Sequence, residues 1–160
     1  MPTLALYHPD IPQNAGTMLR LAACLGIAAH VIEPAGFDLS DRALKRAGMD
    51  YLGHVTLIRH VSWGEFEAWR AANGRRLVLL STRASLPYPD FVFAPSDIVM
   101  VGRESSGVPE MVHEAADARL LIPMAPKLRS LNVATAAAMV LGEALRQTGG
   151  FAVPQTSAAM

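Results

Sequence analysis

Three stretches of the chain combine residue types that bind or activate a polar ligand. The first is Pro12-Gln13-Asn14-Ala15-Gly16-Thr17-Met18-Leu19-Arg20. Asn14 is a good helix cap, and Gly16 lets another backbone come close. Arg20 falls one turn beyond Gly16 on the same helical face. A helix start favours anions over cations, so the dipole gives Arg20 no reason to be there. Its planar fork suits a phosphate, a carboxylate or a developing oxyanion. The same residues also fit a capped surface helix with a solvated arginine.

The second stretch is Val101-Gly102-Arg103-Glu104-Ser105-Ser106-Gly107-Val108-Pro109. It has the outline of the dinucleotide fingerprint G-x-G-x-x-G, but Glu104 stands at the middle glycine. A carboxylate there adds bulk and like charge where a pyrophosphate would lie, which disfavours a nicotinamide-dependent dehydrogenase. A ligand with cationic or neutral polar groups fits better. The bland alternative is a glycine-punctuated turn before a helix that opens at Pro109. The third stretch is Ile122-Pro123-Met124-Ala125-Pro126-Lys127-Leu128-Arg129-Ser130-Leu131-Asn132. Two prolines hold it extended, and Ser130 and Asn132 both suit a helix start.

Other candidates carry less chemistry. His8, His30, His54, His60 and His113 lack metal-ligand spacing, so no metal site is expected. Arg42, Lys45 and Arg46 make a basic helical face, with Asp41 placed to pair with Lys45, so a solvated face is expected. Trp63 and Trp69 read as core residues and Cys24 as a small buried one. Neither a Gly-x-Ser-x-Gly elbow nor a Walker loop is present.

The elements that must position these residues alternate. Strands are expected at residues 4–7, 29–32, 55–58, 77–80, 98–101 and 120–122. Helices are expected at 16–25 closed by Gly26, at 40–47 stopped by Gly48, and from a Ser62–Glu65 capping box to about 72. A short helix follows Pro109, and a long Ala-rich one covers 131–147 before Gly149. This alternation implies an α/β fold, a mainly parallel sheet covered by helices on both faces. Ligands in such sheets bind beyond the carboxyl ends of strands, where all three stretches lie. Small residues in the last helix, among them Ala134, Ala138 and Gly142, suit tight packing on the sheet or a dimer seam.

Composition bounds the rest. The chain of 160 residues is one domain's worth, read as a single domain over residues 1–150 with a flexible tail at 151–160. With 51% hydrophobic and 18% charged residues it is no disordered tail protein. The mean hydropathy of +0.25 is high enough that part of the apolar surface is expected to face a second copy. Lys plus Arg and Asp plus Glu are each 14, so nucleic-acid binding must come from a local patch. A single cysteine excludes an intrachain disulfide framework and fits a reducing, cytoplasmic compartment. Pro9, Asp10 and Pro12 come too early for a signal peptide, and the uncharged run at 130–142 is too short to span a membrane.

In this order and spacing the three stretches resemble the motifs of the SPOUT-class RNA ribose 2′-O-methyltransferases, over nearly the whole chain. The short group that methylates the wobble ribose of tRNA is the most similar. Three segments carry that likeness: Leu6-Tyr7-His8-Pro9-Asp10-Ile11-Pro12-Gln13-Asn14, Ile32-Glu33-Pro34-Ala35-Gly36-Phe37, and Arg46-Ala47-Gly48-Met49-Asp50-Tyr51. The resemblance implies a deep C-terminal trefoil knot whose loops bind S-adenosylmethionine. Leu80, Gly102, Glu104, Ile122, Pro123, Ser130 and Leu131 match the cofactor site. Arg20, Asn14, Ser130 and Asn132 match the catalytic positions, and Arg129, Lys127 and Arg103 would hold RNA phosphate. It also implies a homodimer in which Arg20 of one chain approaches the other's cofactor, acting on the ribose 2′-OH of nucleotide 34 in the tRNA anticodon loop. The chain departs from the family pattern at Arg103, Ser106, Ala134 and Gly142, near the expected RNA side. Alternatives are a family member acting on another tRNA or rRNA site, or a non-catalytic RNA-binding module keeping the fold.

Overall fold

The computed structural model describes residues 1–46 and 51–154. Among these residues seven strands form one sheet: β1 (Thr3–Tyr7), β2 (Ala29–Ile32), β3 (Leu57–His60), β4 (Arg76–Leu80), β5 (Leu86–Pro87), β6 (Asp97–Val101) and β7 (Ala118–Leu121). Their spatial order is β3-β2-β1-β6-β4-β7-β5, and every neighbouring pair is parallel. Five α-helices connect or follow them: α1 (Pro12–Leu25), α2 (Asp41–Arg46), α3 (Trp63–Ala72), α4 (Glu110–Ala115) and α5 (Val133–Thr148).

Side chains alternate across each strand, so one strand serves two cores. Leu4 and Leu6 of β1 pack with Met18 and Leu19 of α1 and Leu141 and Leu145 of α5. Ala5 and Tyr7 point the other way, toward Phe66 of α3 and Val112 of α4. All five residues of β1 and of β6 are buried. A strand covered on both faces needs no polar alternation, which is why residues 4–7 and 98–101 read as unbroken apolar runs.

Several expected boundaries shift, each for a local reason. Helix α1 begins at Pro12, and Ile11 occupies the cap position without a side-chain bond. Asn14 therefore does not cap α1. Proline's fixed φ and missing N–H suit the first helical position, so it sets the start. The strand expected at 55–58 lies at Leu57–His60, because Leu52–His54 form a short 3-10 turn first. Pro109 is the cap of α4 and not its first residue. Asn132, not Ser130, caps α5, accepting from the N–H groups of Ala134 (2.9 Å) and Thr135 (3.3 Å). The two-residue edge strand β5 has no signal in the sequence. Ser62 accepts from Glu65 N–H at the start of α3, which is one half of the expected capping box. Trp63 and Trp69 pack half-buried against the second core. Cys24, expected to be buried, is exposed on α1. The stop at Gly48 and the tail from residue 155 lie outside the described residues. Among the described residues no helix is long and apolar enough to cross a membrane.

Candidate active site

The carboxyl ends of β1, β4, β6 and β7 lie side by side, and a loop leaves each. The loop after β6 doubles back at once. Arg103 N–H donates to the Gly107 carbonyl at 3.0 Å, and Gly107 N–H returns the bond at 2.8 Å. Gly107 has φ +66°, and a Cβ on Gly102 would stand 2.7 Å from the Gly107 carbonyl carbon. Both glycines in this stretch are thus demanded by the backbone itself. The loop after β7 is not extended throughout, as its two prolines suggested: Pro126 and Lys127 (φ 72°) form a turn closed by Leu128 N–H to the Ala125 carbonyl at 3.3 Å, and the chain enters α5 at Asn132. Its capping amide does double duty, because Asn132 Nδ2–H donates to Asn14 Oδ1 at 3.0 Å. That bond spans 118 residues and joins the first stretch to the third.

Between these loops lies a cleft of about 690 Å³. Of the residues singled out in the sequence it brings together Asn14, Leu80, Gly102, Arg103, Glu104, Ile122, Arg129, Ser130, Leu131 and Asn132. Pro123 and Lys127 are exposed on the same loop but do not line it, and Arg20 does not line it either. Six residues separate Asn14 from Arg20, which turns Arg20 about 120° away around α1. There its guanidinium lies 4.5 Å from the centroid of the Tyr51 ring, and Nη2–H donates to the Tyr51 hydroxyl at 3.3 Å. Stacking and hydrogen bond fix the plane of the fork.

The cleft holds polar atoms without protein partners. Glu104 Oε1 and His113 Nε2 are buried and unbonded, and both residues line it. Burial pushes the Glu104 carboxyl up, and the neighbouring Asp10 carboxyl pushes it further. Asp10 is held down to about 2 by its hydrogen bonds, first to Glu104 and then to Ser105. Arg103, expected on RNA phosphate, has its Nε 3.6 Å from Asp10 Oδ2. Arg83, another cleft residue, pairs with Glu110 at 2.7 Å near the start of α4. Sequence reasoning gave no role to Asp10, Tyr51, Arg83 or His113. Asp10 follows a strand end, which was a usable signal. The contacts of Tyr51 and His113 depend on pairings no spacing rule supplies. Among the described residues no three His, Cys, Asp or Glu side chains cluster as a metal site.

An open parallel sheet whose strand-end loops enclose a polar-edged cleft has many relatives. A solved structure described as giving structural insights into the 2-OH methylation of C/U34 on tRNA superposes with a TM-score of 0.85. It is 43% identical, over 92% of this chain and 95% of that one. The SpoU methyltransferase AviRb from Streptomyces viridochromogenes, in complex with the cofactor AdoMet, superposes at 0.82 with 29% identity. There 92% of this chain covers 60% of the other. The tRNA (cytidine(34)-2′-O)-methyltransferase of Beijerinckia indica subsp. indica is 68% identical over 149 residues, 93% of each chain. The model of the SpoU rRNA Methylase family matches residues 1–142, and the chain belongs to that family.

Proposed function

We propose that this protein transfers a methyl group from S-adenosylmethionine to the ribose 2′-OH of nucleotide 34, the wobble position, of tRNA. The observation that carries the reading is the cleft at the strand ends, into which all three sequence stretches converge. The names of the relatives agree in reaction and in nucleotide. The AdoMet complex of AviRb supports the cofactor.

The cleft suits that cofactor chemically. Main-chain groups at Leu80, Gly102, Ile122 and Leu131, with Pro123 beside them, offer the mixed apolar and polar surface an adenine needs. The unpartnered Glu104 oxygen accepts from hydroxyl or ammonium donors, and no phosphate is present in the cofactor to repel it. When bound, S-adenosylmethionine supplies a methyl group already activated by its positive sulfur. The protein's task is then to align the ribose and stabilise charge on its oxygen. Arg20 does the latter as a permanent cation, since a guanidinium does not release its proton. The hydroxyl proton leaves through a phosphate or water. Asn14, Ser130 and Asn132 orient the ribose and the cofactor carboxylate. Arg129, Lys127 and Arg103 contact tRNA phosphate.

Arg20 stands outside its own cleft, and this supports a homodimer in which each Arg20 serves the partner's cleft. The loops after β4, β6 and β7 close on one space, which supports a C-terminal segment threaded as a deep trefoil knot within one domain over residues 1–150. A cytoplasmic place follows from the substrate. The test is incubation with methyl-labelled S-adenosylmethionine and bulk tRNA, followed by mapping of the label. Label on the 2′-oxygen of nucleotide 34 is expected. Label on another tRNA or rRNA ribose would shift the site, and label on a base would overturn the reaction.

A further inference from the structure

Asp10 lies in the turn between β1 and α1, on the segment that also carries Asn14 and Arg20. Its contacts all lead to the loop after β6. Asp10 Oδ1 accepts from Glu104 N–H at 3.3 Å, and Oδ2 accepts from the Ser105 hydroxyl at 2.5 Å. Asp10 N–H donates in turn to Glu104 Oε2 at 3.4 Å. Arg103 Nε stands 3.6 Å from Oδ2. The Asp10 turn is itself braced from behind. Gly36 N–H donates to the Pro9 carbonyl at 2.8 Å, and a Cβ on Gly36 would come within 3.0 Å of Asp10 Cα and Cβ.

We propose that Asp10 is a positioning residue for the cofactor. It clamps the 103–107 loop and engages one oxygen of Glu104, so that the other faces the cleft free to accept from the ligand. The second oxygen, Oε1, is buried and has no protein donor. A buried acceptor in that state is satisfied only by something entering the cleft. Of the two carboxyls Asp10 is the more acidic, held down to about 2 by its hydrogen bonds to Glu104 and Ser105, and it stands beside Arg103. The residue thereby ties the catalytic segment to the cofactor loop across 94 residues of sequence.

This inference rests on the S-adenosylmethionine reading, and its test separates the two. S-Adenosylmethionine binding is measured by calorimetry for the natural chain, Asp10→Ala, Glu104→Ala and the double variant. Each single change is expected to weaken binding about tenfold, and the double no more than Glu104→Ala alone, since both act through one oxygen. Asp10→Asn keeps one acceptor, for the Glu104 N–H, and turns the other position into a donor to which the Ser105 hydroxyl can offer its oxygen, so it is expected to recover much of the loss. In ligand-free protein, amide exchange at residues 103–107 is expected to quicken in Asp10→Ala. If Asp10→Ala does not fold, Ser105→Ala removes the 2.5 Å bond from the other side and is read the same way. Undiminished binding in these variants, additive losses in the double, or unchanged loop exchange would overturn the proposal. Failure of the natural chain to bind S-adenosylmethionine would sink the cofactor reading instead, while loop exchange would still report on the clamp.

Discussion

The chemistry of the cleft depends on residues whose replacements should separate binding from turnover. Gly102→Ala forces a methyl group against the backbone of Gly107, which can yield only by opening the loop. Such overpacking costs about 1–3 kcal/mol. Calorimetry should show S-adenosylmethionine binding at least about tenfold weaker. Arg20→Lys keeps the charge and loses the fork and its stacking. Because Arg20 lies off its own cleft, single-turnover assays should show a methyl-transfer rate reduced about a hundredfold or more. Cofactor affinity should stay level in that variant; unchanged transfer would remove the fork from the mechanism. Tyr51→Phe keeps the ring under Arg20 and loses the 3.3 Å bond, so it should be milder than Tyr51→Ala. Glu104 stood out in the sequence because it follows a strand and breaks a familiar pattern, whereas Ser130 and Asn132 read equally well as ordinary helix-start residues. Tyr51 was visible only as part of a likeness, because its partner lies 31 residues away and no local period links them.

Elements followed the sequence wherever one physical preference acted alone. The runs that became β1, β2, β4 and β6 were clear because burial on both faces favours apolar residues at most of their positions. Helix starts were less clear where two preferences competed. At α1 proline geometry overrode asparagine capping, and at α5 Asn132 took the cap from Ser130. The short strand β5 pairs only with β7 and carries no apolar run of its own. Asn132 caps α5 and bonds Asn14, so Asn132→Ala should cost about 1 kcal/mol in urea unfolding as well as impair activity. A second prediction concerns β2 and β3. His30 and His60 are buried with Nδ1 and Nε2 3.0 Å apart, against Phe66 and Trp69. Burial lowers both, His30 to about 4, with His60 and Arg75 adding to the effect at His30 and Glu65 opposing it at His60. A depressed histidine binds its proton more readily in the unfolded chain. Stability should therefore fall as pH drops from about 6.5 toward 4, and His30→Phe should flatten that slope. Urea midpoints at several pH values check this; equal slopes would refute it.

At the scale of the molecule, balanced charge leaves RNA affinity to a few local cations. Arg129→Ala should lower the slope of log affinity against log salt by about one and weaken all tRNAs alike. The parallel sheet and its site end could be inferred from element alternation. The proposed sharing of a site between copies came from the family resemblance alone; the spacing of Asn14 and Arg20 sets them on different faces of α1 but names no second copy. Co-expression of Arg20→Ala and Gly102→Val chains under two different tags tests that sharing most directly. A doubly tagged pair joins one intact cleft to one intact Arg20. Mapped 2′-O-methyl transfer should then return to about half that of the natural protein, with each variant alone expected to be inactive. A pair as inactive as its parents, or no pair at all, would contradict the account.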